Sequence, residues 1–338
     1  MTDFKSAFAA KITDFIAEKH SLGYKYEVDM YVLKQFDAFC LEKYPAETLI
    51  TREIMIEWAA LRKYEHPGTL TKRVTTIREF TKYLARMGFS VFMLPPNFLP
   101  KTPHYTPYIY SNDELKRYFF QADKIDKSGT LKYVPYKHLV LPMFFRLLYA
   151  CGMRSLEASL IKLGEVDIEN GIITINNAKN KKIRQLPISA PMLEQVKFYC
   201  SQIHKDSPSN AWFFPYFDGG NNPVRSSMLG RNHRELLRKS GIPYCGKSHE
   251  AGKPGGPRMH DFRHTFAVHC LRRWALEGKD IHSMLPYLQT YMGHVSISAT
   301  AYYLHLTSEI FPQITKQLEK SFGSIIPEIP TEVSDDNY

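Results

Sequence analysis

Between residues 93 and 110 the chain carries Pro95, Pro96, Pro100, Pro103 and Pro107. A proline locks φ, lacks a backbone N–H and clashes with the preceding helical turn, so this density favours extended backbone and no helix runs through it. The sequence is thereby cut into two parts that must each bury their own core. Its 338 residues are enough for two domains. Residues 1–92 are expected to form a helical domain, 93–110 a linker, 111–325 a second domain, and 326–338 a disordered acidic tail.

Apolar residues at helical spacing mark the first part. Phe4, Phe8, Ile12, Phe15 and Ile16 define a helix over 4–16, with Gly23 as its stop. Val32, Leu33, Phe36, Phe39 and Cys40 define another over 26–43. Thr51 can cap a third helix carrying Ile54, Trp58 and Leu61, and Thr69 or Thr71 a fourth carrying Val74, Ile77, Phe80, Tyr83 and Leu84, closed by Gly88. After the prolines, Ser111 with Asp113 and Glu114 reads as a helix start. Helices are expected at 138–150, 153–163, 190–204, 226–240, 260–277, 281–292, 297–304 and 309–321. Short strands are expected at 165–168, 172–175 and 184–188, with Asn170-Gly171 as a hairpin turn. The fold class is mainly α with a small β-sheet.

Net charge is +10 and the pI about 9.2. Residues 1–100 carry 14 Lys/Arg against 12 Asp/Glu, whereas 101–327 carry 30 against 18, so the excess sits in the second part. That balance points to a polyanionic partner. No apolar run approaches the roughly 18–20 residues of a membrane span, and the first residues lack the basic-then-apolar pattern of a signal peptide. Five cysteines without CxxC spacing suit reduced thiols. The expectation is a cytoplasmic protein with no membrane association.

Four segments of the second part can carry chemistry. In Gly152-Met153-Arg154-Ser155-Leu156-Glu157, glycine breaks one helix and Arg154 opens the next. Such an arginine is either an anion ligand or a surface partner for Glu157. In His260-Asp261-Phe262-Arg263-His264, positions 260 and 263 share a helical face and can both donate to one phosphate. His260 and His264 also have the spacing of a zinc helix, but position 261 is Asp where a zinc protease needs Glu, and no further ligand cluster follows. Gly293-His294 precedes Tyr302-Tyr303, a pair that by itself suits a core as well as a nucleophile. Asn177-Ala178-Lys179-Asn180-Lys181-Lys182 is a basic turn between two strands, either a solvated tip or a lysine carrier.

In this order and spacing, Arg154 with Glu157, Lys179, His260 with Arg263, Gly293-His294 and a tyrosine nine residues after His294 resemble the tyrosine recombinase, or phage-type integrase, family. The resemblance covers about residues 111–310, and residues 1–92 look like that family's DNA core-binding domain. It selects Tyr303 over Tyr302. It implies a site-specific DNA recombinase of integrase or transposase type, encoded by a mobile element, that cleaves and rejoins double-stranded DNA through a 3′-phosphotyrosine link. Arg154 and Arg263 would clamp the phosphate, His260 accept the tyrosine's proton, His294 donate to the phosphate, Lys179 protonate the leaving 5′-oxygen, and Glu157 support. The turn could equally present Lys181 or Lys182, and Lys179 is chosen by its place relative to Arg184 and Pro187. No cofactor or metal is expected. The resemblance further implies a homotetramer on two DNA sites, a monomer or weak dimer without DNA, possible directionality factors, and a 309–321 helix docking on a neighbouring protomer. Candidate DNA contacts are Lys72, Arg73, Lys181, Lys182, Arg231, Arg234 and Arg238, with the two domains on opposite faces of a duplex. The alternatives are a type IB topoisomerase-like strand transferase and a catalytically silent DNA-binding protein of the same fold.

Overall fold

A computed structural model describes residues 4–99, 106–126, 136–176, 183–217, 221–244 and 256–310. The basic turn with Lys179, Lys181 and Lys182, residues 245–255, the 309–321 helix beyond residue 310 and the acidic tail lie outside the described residues. The chain divides near residue 105 into two compact units, the larger including most of the residues beyond it.

Among the described residues the first unit has four helices, α1 (Ala9–Ser21), α2 (Glu27–Lys43), α3 (Arg52–Trp58) and α4 (Pro67–Arg86). Phe8, Phe15, Phe36, Trp58 and Phe80 fill its core, with Trp58 edge-on to Phe36. Helix α1 begins five residues later than the apolar spacing implies. The amides of Lys5 and Ser6 are instead taken by the Asp37 carboxylate of α2, a partner 32 and 31 positions away that local periodicity does not see. Thr51 caps α3 as expected. Helix α4 starts at Pro67, behind an N-cap His66 whose ring accepts from the Gly68 amide. Proline at the first helical position pre-sets φ and sacrifices no bonded N–H, so the start falls ahead of Thr69 and Thr71.

Arg73 is corrected from a DNA contact to a core residue. It is 2% exposed, pairs with Glu65 at 2.8 Å, lies over the Trp58 ring, and donates to the carbonyls of Trp58 and Ala60. By occupying those carbonyls it ends α3 at Trp58, which leaves Leu61 outside the helix and 59% exposed. Its neighbour Lys72 stays half-exposed, paired with Asp29.

The second unit is mainly helical with two small sheets. Its elements are α5 (Asn112–Asp123), α6 (Lys137–Ala150), α7 (Ser155–Ser159), β1 (Val166–Asp167), β2 (Ile172–Ile175), β3 (Arg184–Pro187), α8 (Ala190–Ile203), β4 (Pro215–Phe217), β5 (Asn221–Pro223), α9 (Ser226–Lys239), α10 (Asp261–Leu276), α11 (Ile281–Met292) and α12 (Ile297–Ile310). Ser111 and Glu114 form a reciprocal capping box on α5. Strands β1, β2 and β3 pair antiparallel in that order, turning at Gly171 with positive φ, and bury Ile173, Ile175 and Leu186 on one face. Only five residues of the helix expected at 153–163 form. Beyond Leu160 the backbone bonds instead to residues 209–213, with Phe213 donating to Ile161 and Leu163 to Ala211. The β4–β5 hairpin was not legible in the sequence, because its paired positions include Pro215 opposite Pro223 and lack apolar alternation. Among the described residues no helix is long and apolar enough to cross a membrane.

Arg73→Ala removes one partner of a buried ion pair and leaves Glu65 uncompensated. It is expected to lower unfolding stability by about 3 kcal/mol, read by urea denaturation, and unchanged stability would refute the core assignment.

Candidate active site

Three of the four segments, those of Arg154, Arg263 and His294, converge on one place because two sharp turns are held by one side chain. At the end of α6, Gly152 takes a positive φ, and a Cβ there would lie 2.4 Å from the Phe266 ring. At the end of α11, Gly293 also takes a positive φ, and a Cβ there would press on the Arg184 guanidinium at 3.1 Å. Between these turns sits Arg263 of α10, 1% exposed. It donates through one terminal nitrogen to the Gly152 carbonyl at 2.6 Å and through the other to the Met292 carbonyl at 2.7 Å. These bonds set Arg154, two residues past Gly152, and His294, two past Met292, around α10.

Arg154 stands at the N-terminus of α7, partly exposed, and donates to Glu157 at 2.6 Å. The pairing with Glu157 is thus present, to a carboxylate that is buried and not on the surface, and the arginine stays partly exposed beside the cluster. Glu157 is itself buried and bridges to Arg184 of β3 at 2.7 Å. Its carboxyl pKa is lowered: burial opposes the charged form, but the Arg184 and Arg154 guanidiniums outweigh it. Arg184 also donates to the Tyr291 carbonyl at 3.0 Å. It served the sequence reading only as a landmark, yet it joins β3, α7 and the end of α11. Its signal was its place on the short strand directly after the basic turn.

His260 is the N-cap of α10, the residue just before the helix. Its ring lies edge-on to that of His264, with centroids 4.8 Å apart. His294 is hydrogen-bonded through Nδ1 to the Thr300 hydroxyl at 2.8 Å. The pKa of His260 is pushed down to about 4 by burial and then by Arg263, Arg258 and Arg154. That of His294 falls to about 4 for the same reasons, burial first, then Arg263 and Arg154. Both imidazoles are therefore neutral near pH 7.

Tyr303 points inward from α12 and is 2% exposed, whereas Tyr302 is 38% exposed. The Tyr303 ring packs among Ala267, Leu271, Met292 and Leu306, roughly parallel to the His294 ring. Nδ1 of His264 lies 3.0 Å from its hydroxyl. Burial raises the phenol pKa, and the Arg263 and Arg154 guanidiniums oppose that rise. His264 entered the sequence reading only through the zinc-helix spacing. Positions 260, 263 and 264 share one face of a helix, which was the available signal for it. Among the described residues, no group of three or more His, Cys, Asp or Glu side chains could hold a metal ion.

Arg154, Glu157, His260, Arg263, His294 and Tyr303 are thus brought together. Arg231, Arg234 and Arg238 are exposed along one face of α9, apart from the side-chain bonds of this cluster. The arrangement holds a phenol beside guanidiniums and neutral imidazoles, a set able to bind an anion and deliver an oxygen nucleophile to it.

Residues 127–309 match the Phage integrase family. Over 319 residues the chain is 29% identical to a Sinorhizobium fredii (strain NGR234) protein designated integrase/recombinase y4rB, covering 93% of this chain and 98% of that one. It is 28% identical over 241 residues to tyrosine recombinase XerD of Rhizobium meliloti, covering 70% of each. The fold is similar to that of XerH site-specific recombinase in a post-cleavage complex with palindromic difH substrate (TM-score 0.59, 17% identity, 86% of this chain and 76% of that one). It is similar also to the Tn1549 transposon integrase in complex with transposon right end DNA (TM-score 0.58, 15% identity, 88% and 98%).

The depressed histidines tie stability to pH. His260 and His294, with folded values of about 4, bind protons less readily than in the unfolded chain, where the reference is about 6.5. The unfolded state therefore takes up more protons between those values, and stability is complete above pH 6.5 and falls on acidification toward pH 4. Thermal melts from pH 8 to 5 should show a falling Tm, with a shallower slope in a His260→Asn, His294→Asn double variant. An identical slope in that variant would exclude these two groups as a source.

Proposed function

The chain belongs to the phage integrase family of tyrosine recombinases and is a site-specific DNA recombinase, and from that premise we propose that it cleaves and rejoins double-stranded DNA through Tyr303. The observation that carries this is the Tyr303 hydroxyl lying inside the cluster of Arg154, Arg263, His264 and His294.

A phosphodiester repels nucleophiles because its oxygens are already negative, and the pentacovalent transition state carries more charge still. Guanidiniums preorganised around it lower the barrier. Arg263 has five N–H donors, directs one from each terminal nitrogen to a carbonyl and bonds the Tyr303 side chain, and the rest are available to the phosphate. Arg154 is more exposed and supplies the second clamp. A neutral His294 that accepts from Thr300 at Nδ1 carries its hydrogen on Nε2, a donor for a non-bridging oxygen. As the bond from the Tyr303 oxygen to phosphorus forms, the bond from phosphorus to the 5′-oxygen breaks. The phenolic proton passes to the imidazole pair headed by His260, and Lys179 of the basic turn protonates the leaving oxygen. The link conserves the ester's free energy, so rejoining runs the same steps backwards.

The remaining parts follow the same reading. The first unit binds the core of the site, with Lys72 on its half-exposed side. Arg231, Arg234 and Arg238 hold backbone phosphates, giving a salt-dependent affinity. Four copies act across two sites, with directionality factors selecting integration or excision. The exposed basic face of α9 and the excess positive charge of residues 101–327 support the DNA-binding part.

A library of nicked duplexes, which traps any covalent intermediate, tests the assignment and yields the target site on sequencing. Tyr303→Phe should abolish the adduct while leaving DNA affinity within a few-fold. An undiminished adduct would sink the assignment, and loss in Tyr302→Phe alone would move the nucleophile to that residue. Arg154→Ala should slow adduct formation by roughly 10²–10³-fold, as removal of a preorganised oxyanion donor does. Strand exchange between two labelled duplexes separates recombination from relaxation alone.

A further inference from the structure

The hydroxyl of Tyr303 is met by a histidine of α10 to which the family pattern quoted above gives no part. Nδ1 of His264 is 3.0 Å from the Tyr303 oxygen, and the two rings are tilted at 54° with centroids 5.6 Å apart. The contact is seated by packing, since Ala267, Val268 and Leu271 of α10 lie with Tyr303 and Leu306 of α12 in one apolar cluster. From the geometry we propose that His264 is a catalytic positioning residue, the hydrogen-bond acceptor that orients the Tyr303 hydroxyl for attack. This rests on Tyr303 being the nucleophile.

The tautomer decides what such a contact does. A phenol near neutral pH keeps its hydrogen, so the O–H donates and Nδ1 accepts, with the ring hydrogen on Nε2. The O–H bond then points at α10, and the oxygen's lone pairs are turned away from His264 toward the rest of the cluster. The groups facing His264 are His260, Arg258 and Arg263 of its own segment and His294 and Tyr303 from the chain packed against it. Burial, then His260 and these cations, push its pKa down to about 3. An imidazole so held stays unprotonated through the neutral range. It serves as an acceptor up to the covalent step, at which Nδ1 takes the phenolic proton and Nε2 gives up its own toward His260, whose ring lies edge-on with centroids 4.8 Å apart, so His264 stays neutral overall.

The test uses the full chain and a nicked duplex carrying the site recovered from the library. His264→Asn keeps an acceptor, since Oδ1 of asparagine reaches the place of Nδ1. His264→Leu and His264→Phe fill the space without one, and the two shapes guard against misfolding of either. Without the acceptor, single-turnover adduct formation should slow by about tenfold, the worth of one hydrogen bond to the reacting atom. The alkaline rise of its pH profile should move down by about one unit, because a bond donated by the O–H favours the protonated phenol, and DNA affinity should change little. His264→Asn should retain both the rate and the profile of the unaltered protein within about threefold. Wild-type cleavage in the apolar variants would overturn the proposal. So would an asparagine variant as slow as they are with an unmoved pH profile, which would mean packing alone. Peptide mapping of the adduct keeps the two readings apart: an adduct on another tyrosine overturns the Tyr303 assignment, whereas a Tyr303 adduct formed at full speed without an acceptor at 264 overturns only this one.

Discussion

The buried Arg263 guanidinium is what the site is built on. Its two terminal nitrogens each hold a carbonyl at the end of a different helix, Gly152 after α6 and Met292 after α11. Both carbonyls belong to turns that the chain makes through a positive-φ glycine, and neither turn has room for a side chain. The helix ends leave acceptors unsatisfied, and a planar, multi-donor cation can satisfy two at once. Burial and Arg154 lower the pKa of Arg263 to about 10, still well above neutrality, so the charge persists in the core. One residue thereby fixes the backbone that carries Arg154 and the backbone that carries His294.

A second junction governs the charge of the site. Glu157 receives Arg154 on one side and Arg184 on the other. A buried carboxylate with two guanidiniums is well compensated, and with Arg263 added the local balance stays positive. Burial first, and that surplus second, keep the neighbouring imidazoles neutral, and the surplus opposes the effect of burial on the Tyr303 phenol. An incoming phosphate would find cations already oriented and would itself restore the charge balance. The cost of assembling like charges is thus met during folding, by apolar packing around Phe262 and Tyr303, and not at the moment of reaction.

Legibility differed by the range of the interaction. Helices α2, α5, α8, α9, α10 and α11 fall where apolar spacing and capping residues set them, because those signals are local. The start of α1, the stop of α3 and the short α7 were misjudged, since Asp37, Arg73 and the 209–213 backbone act on them from a distance. The same limit produced the misreading of Arg73: on a helical wheel it is a polar residue beside Lys72, and only the fold turns it onto Trp58 and Glu65.

For the site, the linear chain determined the kinds of side chain and their intervals. Arg154, His260, Arg263, His294 and Tyr303 were singled out by their resemblance to a family pattern whose intervals are counted in residues; taken singly, Arg154 suited a surface ion pair and Tyr303 a core position equally well. Tertiary structure decided what the intervals could not: that Tyr303 faces inward and Tyr302 outward, that Arg184 shares Glu157 with Arg154, and that the ring against the Tyr303 hydroxyl belongs to His264. The first and last of these follow from how α10 and α12 rotate against each other as they bury Ala267, Leu271 and Leu306. Hydrophobic packing sets that rotation, and it is expressed only once the two helices, far apart in the chain, are in contact.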